Sequence, residues 1–389
     1  MASVDHDDKA AAMIIRGDTA LNFDISRDID SLEADWQDLW WRSATDCYFL
    51  SFDWCKSWAD AFSIGASVYP VIVTVRSGGR LVALLPLVVR RFGPLRSGEA
   101  LGADTGQYCD LLIAVDTPRE DEIFTAVRNG IRAAKIDTIR FPNVQDESPL
   151  ARLLASQRAI RSEPMASHTL DPTKFESFDA YVRSRSAKRR RNMRRRRRNL
   201  EAIGPVRYET VTDPEEIAEI VQLTVGHKLA WLRSRRLPSP FLARKSITPW
   251  MTEAARRALA TGHLHLAVLK VGDRIVSAQL GFVCSRRFIG YFSSFDTEFA
   301  VHAVGRMRVE AFLADAFKNG WLIDLMPRHD DFKLDWVESG VATHDYAVPI
   351  TGLGSVLALV QNPHTRAVAR DLAKFLYARL MPRKQKPDI

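Results

Sequence analysis

Apolar residues recur at intervals of three and four in "SLEADWQDLWWRSATDCYFLSFDWCKSWADAF", residues 31–62, and that period predicts helices. The tryptophans there, Trp36, Trp40, Trp41, Trp54 and Trp58, keep the helical spacing and are expected in the core. The period then changes. "VYPVIVTV" and "RLVALLPLVV" flank the turn Ser77-Gly78-Gly79 and predict a hairpin. "QYCDLLIA" predicts a further strand. "PREDEIFTAVRNGIRAA" opens on proline and acids and is amphipathic, which predicts a helix. "DTIRFPNV" predicts a strand and "SPLARLLASQ" a short helix.

Residues 171–203 form a connecting segment, after which the same grammar returns. "GPVRYETV" predicts a strand, followed by two helical patterns, "DPEEIAEIVQLTVGHKLAWLRS" and "TPWMTEAARRALATG". "LHLAVLKV" and "RIVSAQLGFVC" predict a hairpin about Gly272-Asp273, and "RRFIGYFSSF" a third strand. "VGRMRVEAFLADAFKNG" is a helix with Gly320 as its C-cap. "WLIDLMP" and "HDYAVPI" close the set as strands, and the basic tail after residue 350 reads as an amphipathic helix with a polar end. Two mixed, mostly antiparallel sheets, each followed by a helix and a last strand, predict a two-domain α+β protein. The expected parts are residues 1–170, a connector at 171–203, a second domain at 204–350 and a tail at 351–389.

Charge changes this picture at one place. The formal net charge is +8, and nine Lys and Arg residues lie between Lys188 and Arg198, so the remainder is near neutral. The four cysteines form no CxxC pair, which argues against a metal cluster or redox motif. The first residues carry acids and only a short apolar run, unlike a secretory signal. The longest apolar run, Leu81 to Val89, has nine residues and a proline, whereas a membrane helix needs about 20. These features predict a cytoplasmic protein, at most peripheral to the inner membrane. His263 and His265 alternate on a strand without a third ligand, so no metal is expected.

The chemistry concentrates in residues 286–336. A strand and loop lead to Gly305 at the start of a helix, whose first-turn N–H groups and positive dipole end suit a phosphate. Arg306 and Arg308 would add charge there; the alternative is an ordinary helix start. Just after the next strand comes "MPRHDDFKLDW", Met326 to Trp336. A carboxylate there could take a proton from an attacking amine or hydroxyl, and a lysine could hold an anion. The alternative is a solvated loop.

Four stretches carry a resemblance: "FLSFDWCKSWADAF" with "LVALLPLVVRR", "SAKRRRNMRRRRRNLE", "FSSFDTEFAVHAVGRMRVEAFLADAFKNGW" and "RHDDFKLDW". Together they resemble the GNAT acyltransferase superfamily, and more closely its CelD-like branch, named from cellulose-biosynthesis clusters. Its tandem halves are similar to the Fem-type peptidoglycan aminoacyl transferases. The resemblance spans roughly residues 30–350. It implies two tandem GNAT-like domains, the first degenerate and shaping the acceptor site. It implies an acyl-CoA co-substrate, most simply acetyl-CoA, along Ser293, Ser294 and Phe295, with its pyrophosphate on Val304, Gly305, Arg306 and Met307. Asp331 and Lys333 take the places of the catalytic acid and lysine. No activated Cys or Ser constellation is visible, so direct transfer to an amine or hydroxyl of a small molecule or saccharide precursor is expected.

For the arginine run three readings stand: a solvated connecting helix, a grip on an anionic partner (lipid, polysaccharide precursor or CoA phosphate), or nucleic-acid recognition. Arginines at five consecutive positions, Arg194 to Arg198, surround a helix, and Met193 and Leu200 leave only a thin apolar stripe. Because the run lies over a hundred residues from Gly305, it is expected to tune acceptor or surface association and not the acyl-CoA site. No aromatic residue interrupts the run, so specific nucleic-acid binding is not expected. The rivals are a Fem-like transferase using charged tRNA and a non-catalytic anion-binding protein of an envelope-polysaccharide system.

Overall fold

The computed structural model describes residues 20–43, 45–63, 65–105, 108–117, 119–327 and 331–361. The tail helix expected beyond residue 361 lies outside them.

The first half runs β1 (Leu21–Ser26), α1 (Glu33–Arg42), α2 (Phe52–Phe62), β2 (Val68–Ser77), β3 (Arg80–Phe92), β4 (Leu95–Ala100), β5 (Leu112–Ile113), α3 (Glu120–Ala133), β6 (Thr138–Gln145), α4 (Pro149–Ala155), β7 (Ile160–Arg161) and β8 (Met165–Leu170). Helices α5 (Phe178–Ser184) and α6 (Ala187–Glu201) connect it to the second half. That half runs β9 (Val206–Val211), α7 (Pro214–Ser234), α8 (Ile247–Ala260), β10 (Leu264–Val271), β11 (Arg274–Cys284), β12 (Arg287–Phe295), α9 (Val304–Asn319), β13 (Leu322–Asp324), α10 (Asp331–Leu334), β14 (Glu338–Pro349) and α11 (Gly352–Gln361).

Serine side chains cap several helix starts. Ser51, Ser148, Ser177 and Ser186 each accept from a backbone N–H three residues on. The two halves repeat one topology. In each, an antiparallel run of strands is followed by a helix and a strand that returns parallel: β4 to β6 through α3, and β12 to β13 through α9. The mixed, helix-flanked α+β architecture expected from the pattern is what the chain adopts.

The halves also exchange strands. β8, from the first half, pairs with β13, while β14, from the second, pairs with β6. β14 and β8 pair with each other, so one continuous sheet runs from β1 to β9. Strand pairing therefore crosses the boundary expected near residue 170. The cores merge as well: Trp54 lies edge-on to Trp250 at 5.3 Å, and Tyr48 stacks on Phe282 at 4.4 Å. A buried ionic clamp crosses the same junction. Arg287 donates to Asp46 at 2.7 Å and to the wholly buried Asp324, which also accepts from the Tyr108 hydroxyl and the Met326 amide. Four of the five early tryptophans are buried as expected; Trp41 is 71% exposed. It follows Trp40 by one position, about 100° round the helix, and so turns away from the core.

Candidate functional site

The last β12–β13 pair is Ile289 with Asp324, and β12 continues to Phe295 without a strand on that side among the described residues. The parallel strands therefore part beyond this pair. A bulge lies at the same place: Gly281 pairs with Gly290 and Leu280 with Phe292, so Tyr291 is the extra residue that bends β12. The Tyr291 hydroxyl is anchored on Thr105 O, 3.2 Å away, in the first half.

Beyond β12 the chain is held by Asp296, whose carboxylate accepts from the Glu298 amide and from Arg274. It then reaches Ala303, which adopts left-handed φ 54° and ψ 42° and leads directly into α9. That conformation costs an L-residue about 1–2 kcal/mol. No side chain caps α9; the Arg306 and Met307 amides bond to Ala303 O, and those of Val304 and Gly305 have no intrahelical acceptor. A Cβ on Gly305 would meet only Phe295 Cδ1, at 3.5 Å. The strand end and the helix start are thus in contact, and the expected residues Ser293, Ser294, Phe295, Val304, Gly305, Arg306 and Met307 converge. Val304 and Met307 are buried in the core, and of the two only Val304 has an amide without an intrahelical acceptor. Ser294 is buried with its hydroxyl unpaired among the described residues.

The two arginines of this turn part company. Arg306 pairs with Asp335 and lines a cavity on the side of α6. Arg308 does not. With Val304 and Phe312 it shares the i, i+4 face that packs on the sheet, where it donates to Ser277 and Gln279. Burial pushes its guanidinium down to about 10, since no carboxylate accompanies it among the described residues.

The arginine run lies beside this turn, contrary to the expectation drawn from its distance in sequence. A cavity of about 520 Å³ is walled by Arg185, Lys188, Arg189, Asn192 and Arg196 on one side and by Arg306 and Asp335 on the other. Met193 and Leu200 are the buried pegs that fix the helix. Arg189 and Arg196 share their face and are half-buried, while Arg194, Arg195, Arg197 and Arg198 face solvent. Arg189 lies over the Trp336 ring at 4.1 Å, with its Nη2 buried and unpaired among the described residues. Desolvation holds the Arg189 guanidinium below its usual range. Sequence reasoning saw the charge but not its placement; the seven-residue spacing of Met193 and Leu200 was the available signal for which arginines turn inward.

Of the expected catalytic pair, Asp331 opens α10, and its side chain lies outside the described residues, as do Arg328, His329 and Asp330. Lys333 donates to the carbonyls of Met326 and Pro327, at 3.1 and 3.2 Å. It ties α10 to the end of β13 and does not face the cavity. A larger cavity, about 760 Å³, lies at the start of α3, lined by Asp46, Tyr108, Asp110 and Gln145 of the first half and by Arg287, Leu322 and Val341 of the second. There the equivalent helix α3 begins with Glu120, Asp121 and Glu122, which repel phosphate. The cysteines are all buried, and burial pushes the Cys47 thiol up to about 12. Among the described residues no group of His, Cys, Asp and Glu could hold a metal, and no helix is long and apolar enough to cross a membrane.

Residues 187–334 match a family described as an acetyltransferase (GNAT) domain. That segment contains α6, the parted strands and α9, and the match makes it an acyltransferase domain. Among solved structures, FemX aligns over 84% of this chain and 98% of its own at 9% identity, with a TM-score of 0.58. A protein of unknown function from Bacteroides thetaiotaomicron VPI-5482 aligns over 82% and 96% at 13% identity, TM-score 0.51. A tandem GNAT protein from the clavulanic acid biosynthesis pathway aligns over 85% and 99% at 14% identity, TM-score 0.47. At such identities the likeness is one of fold. No curated protein matches.

Proposed function

We propose that the protein is an acyl-CoA-dependent N- or O-acyltransferase using acetyl-CoA as its simplest donor. The observation that carries this is the uncapped start of α9 at Gly305, in contact with the end of β12 beyond its last pair with β13, with Arg306 of the same turn lining a cationic cavity. The α9 N–H groups receive the pyrophosphate, and the free edge of β12 at Ser293, Ser294 and Phe295 receives the pantetheine arm. The acceptor's amine or hydroxyl attacks the thioester carbonyl, the C–S bond breaks, and the CoA thiol leaves with a proton. Asp331 is the proposed base for the acceptor's proton, and Lys333 fixes the segment that carries it. The buried, unionised cysteines support direct transfer over a thiol-bound intermediate.

The acceptor is proposed as a small molecule or saccharide precursor of a cellulose-type polysaccharide system, met in the cytoplasm. The first half, with acids where a phosphate would sit, is proposed as the copy that no longer takes a cofactor and shapes the acceptor site. Calorimetry with acetyl-CoA, followed by thiol release across a panel of amino and hydroxyl acceptors, tests the reading. Binding followed by acceptor-dependent thiol release supports it. Absence of acetyl-CoA binding together with salt-sensitive binding of charged tRNA would transfer the site to an aminoacyl transferase.

A further inference from the structure

The cavity wall opposite α9 has more positive charge than a pyrophosphate needs. Four cationic side chains, Arg185, Lys188, Arg189 and Arg196, stand there, and the cavity has a single carboxylate, Asp335, which Arg306 of α9 already engages. Arg189 and Arg196 lie one turn-pair apart on the inward face of α6, with Asn192 between them. Among the described residues no carboxylate pairs with Lys188, Arg189 or Arg196. The Nη2 of Arg189 is buried without a hydrogen-bond acceptor among the described residues, while its guanidinium carbon lies over the Trp336 ring, 4.1 Å from the centroid. A desolvated, unpaired guanidinium is costly unless an anion completes it. This cluster is also built, not frayed: Ser186 caps α6, and Met193 and Leu200 peg it to the body.

The occupant must carry concentrated negative charge and lie within reach of the α9 turn, because Arg306 lines the same cavity. A phosphate monoester fits. It has about −1.5 to −2 charge at pH 7 and three acceptor oxygens, which guanidinium forks bind strongly. We infer that the cavity-lining side chains of α6, Lys188, Arg189 and Arg196, bind the 3′-phosphate of CoA, so that the basic helix makes the site selective for CoA over 3′-dephospho-CoA. This rests on the acyl-CoA reading above and adds a selectivity determinant to it. The outward arginines, including Arg191 and Arg195, take no part.

The experiment is a calorimetric comparison of CoA and 3′-dephospho-CoA on the full-length protein, with Arg196→Gln and the outward Arg195→Gln as variants. Wild type is expected to bind CoA roughly ten- to a hundredfold more tightly than 3′-dephospho-CoA, the worth of one or two charge-assisted contacts. Arg196→Gln should bring CoA down towards the dephospho ligand and leave the latter's affinity within about twofold. Arg195→Gln should retain the discrimination, which separates a seated phosphate from general charge. Raising the salt should narrow the gap. Equal affinity of wild type for both ligands overturns this assignment and leaves the acyl-CoA reading standing. Equal loss in both α6 variants overturns it in the same way. Binding of neither ligand by wild type overturns both. Thermal melting of each variant excludes unfolding as the cause.

Discussion

Gly305→Glu should make the protein slightly more stable and disable its cofactor site. The new Cβ meets only Phe295 Cδ1, at 3.5 Å, an ordinary contact, so the Cβ itself adds no steric cost. Replacing glycine in a helix is worth about 0.5–1 kcal/mol, and an acid in the first turn adds about 0.3–1 kcal/mol through the helix dipole. The fold should gain roughly 1 kcal/mol. The ligand meets the opposite effect. A carboxylate about 5 Å from one phosphate charge, at an effective dielectric near 20, repels it by about 3 kcal/mol, or roughly a hundredfold in affinity. Urea denaturation and acetyl-CoA calorimetry on the same preparation read both numbers. Gly305→Ala should keep the fold and lose far less affinity. Binding of the Glu variant within threefold of wild type would refute the placement of the pyrophosphate. Lost binding accompanied by lost stability would mean that the turn had collapsed, contrary to the packing argument.

Asp331→Asn should lower acyl transfer by about 10²-fold or more with acetyl-CoA affinity preserved, as for a general base; an unchanged rate with a lower melting temperature would make it a structural residue. Arg287→Met should cost about 3–5 kcal/mol in urea denaturation, because it leaves the wholly buried Asp324 carboxylate without its cation. A loss under about 1 kcal/mol would show that the clamp does not hold the halves together. Burial pushes the Asp110 carboxyl from 3.8 up to about 6, although it accepts from the Leu111 and Leu150 amides. Because the folded value is the higher one, its contribution is full below about pH 4 and lost as the pH rises to about 6. Asp110→Asn should therefore gain on wild type across that window in urea melts and keep a constant difference above it; a difference flat from pH 4 to 7 would contradict the shift.

Periodicity carried the sheet grammar well. Most long elements, including β2, β3, α3, α7 and β11, fall where apolar spacing puts them, because each buries one face or both. Shorter strands were less legible. β4, "LRSGEA", has neither alternation nor β-branched residues and is a strand because β3 and β6 flank it. "WLIDLMP" shrinks to Leu322–Asp324 because β13 parts from β12 there. The exchange of β8 and β14 between halves has no local signal, since a strand's partner is a tertiary choice. The turn at Gly305 was legible from its strand-loop-helix order. Two neighbouring inferences were not. Arg308 follows Arg306 by two positions and so faces the opposite way, and α6 lies against the α9 turn although a hundred residues separate them.

Hydrogen exchange with and without acetyl-CoA bears most directly on the central claim, that acyl-CoA lies between α6 and the start of α9. The account predicts slowed exchange in two separated segments, residues 186–196 and 303–308, with little change in the first-half segments that line the larger cavity, residues 108–117 and 145–149. Protection confined to the first-half segments, or none in either place at saturating acetyl-CoA, would contradict it.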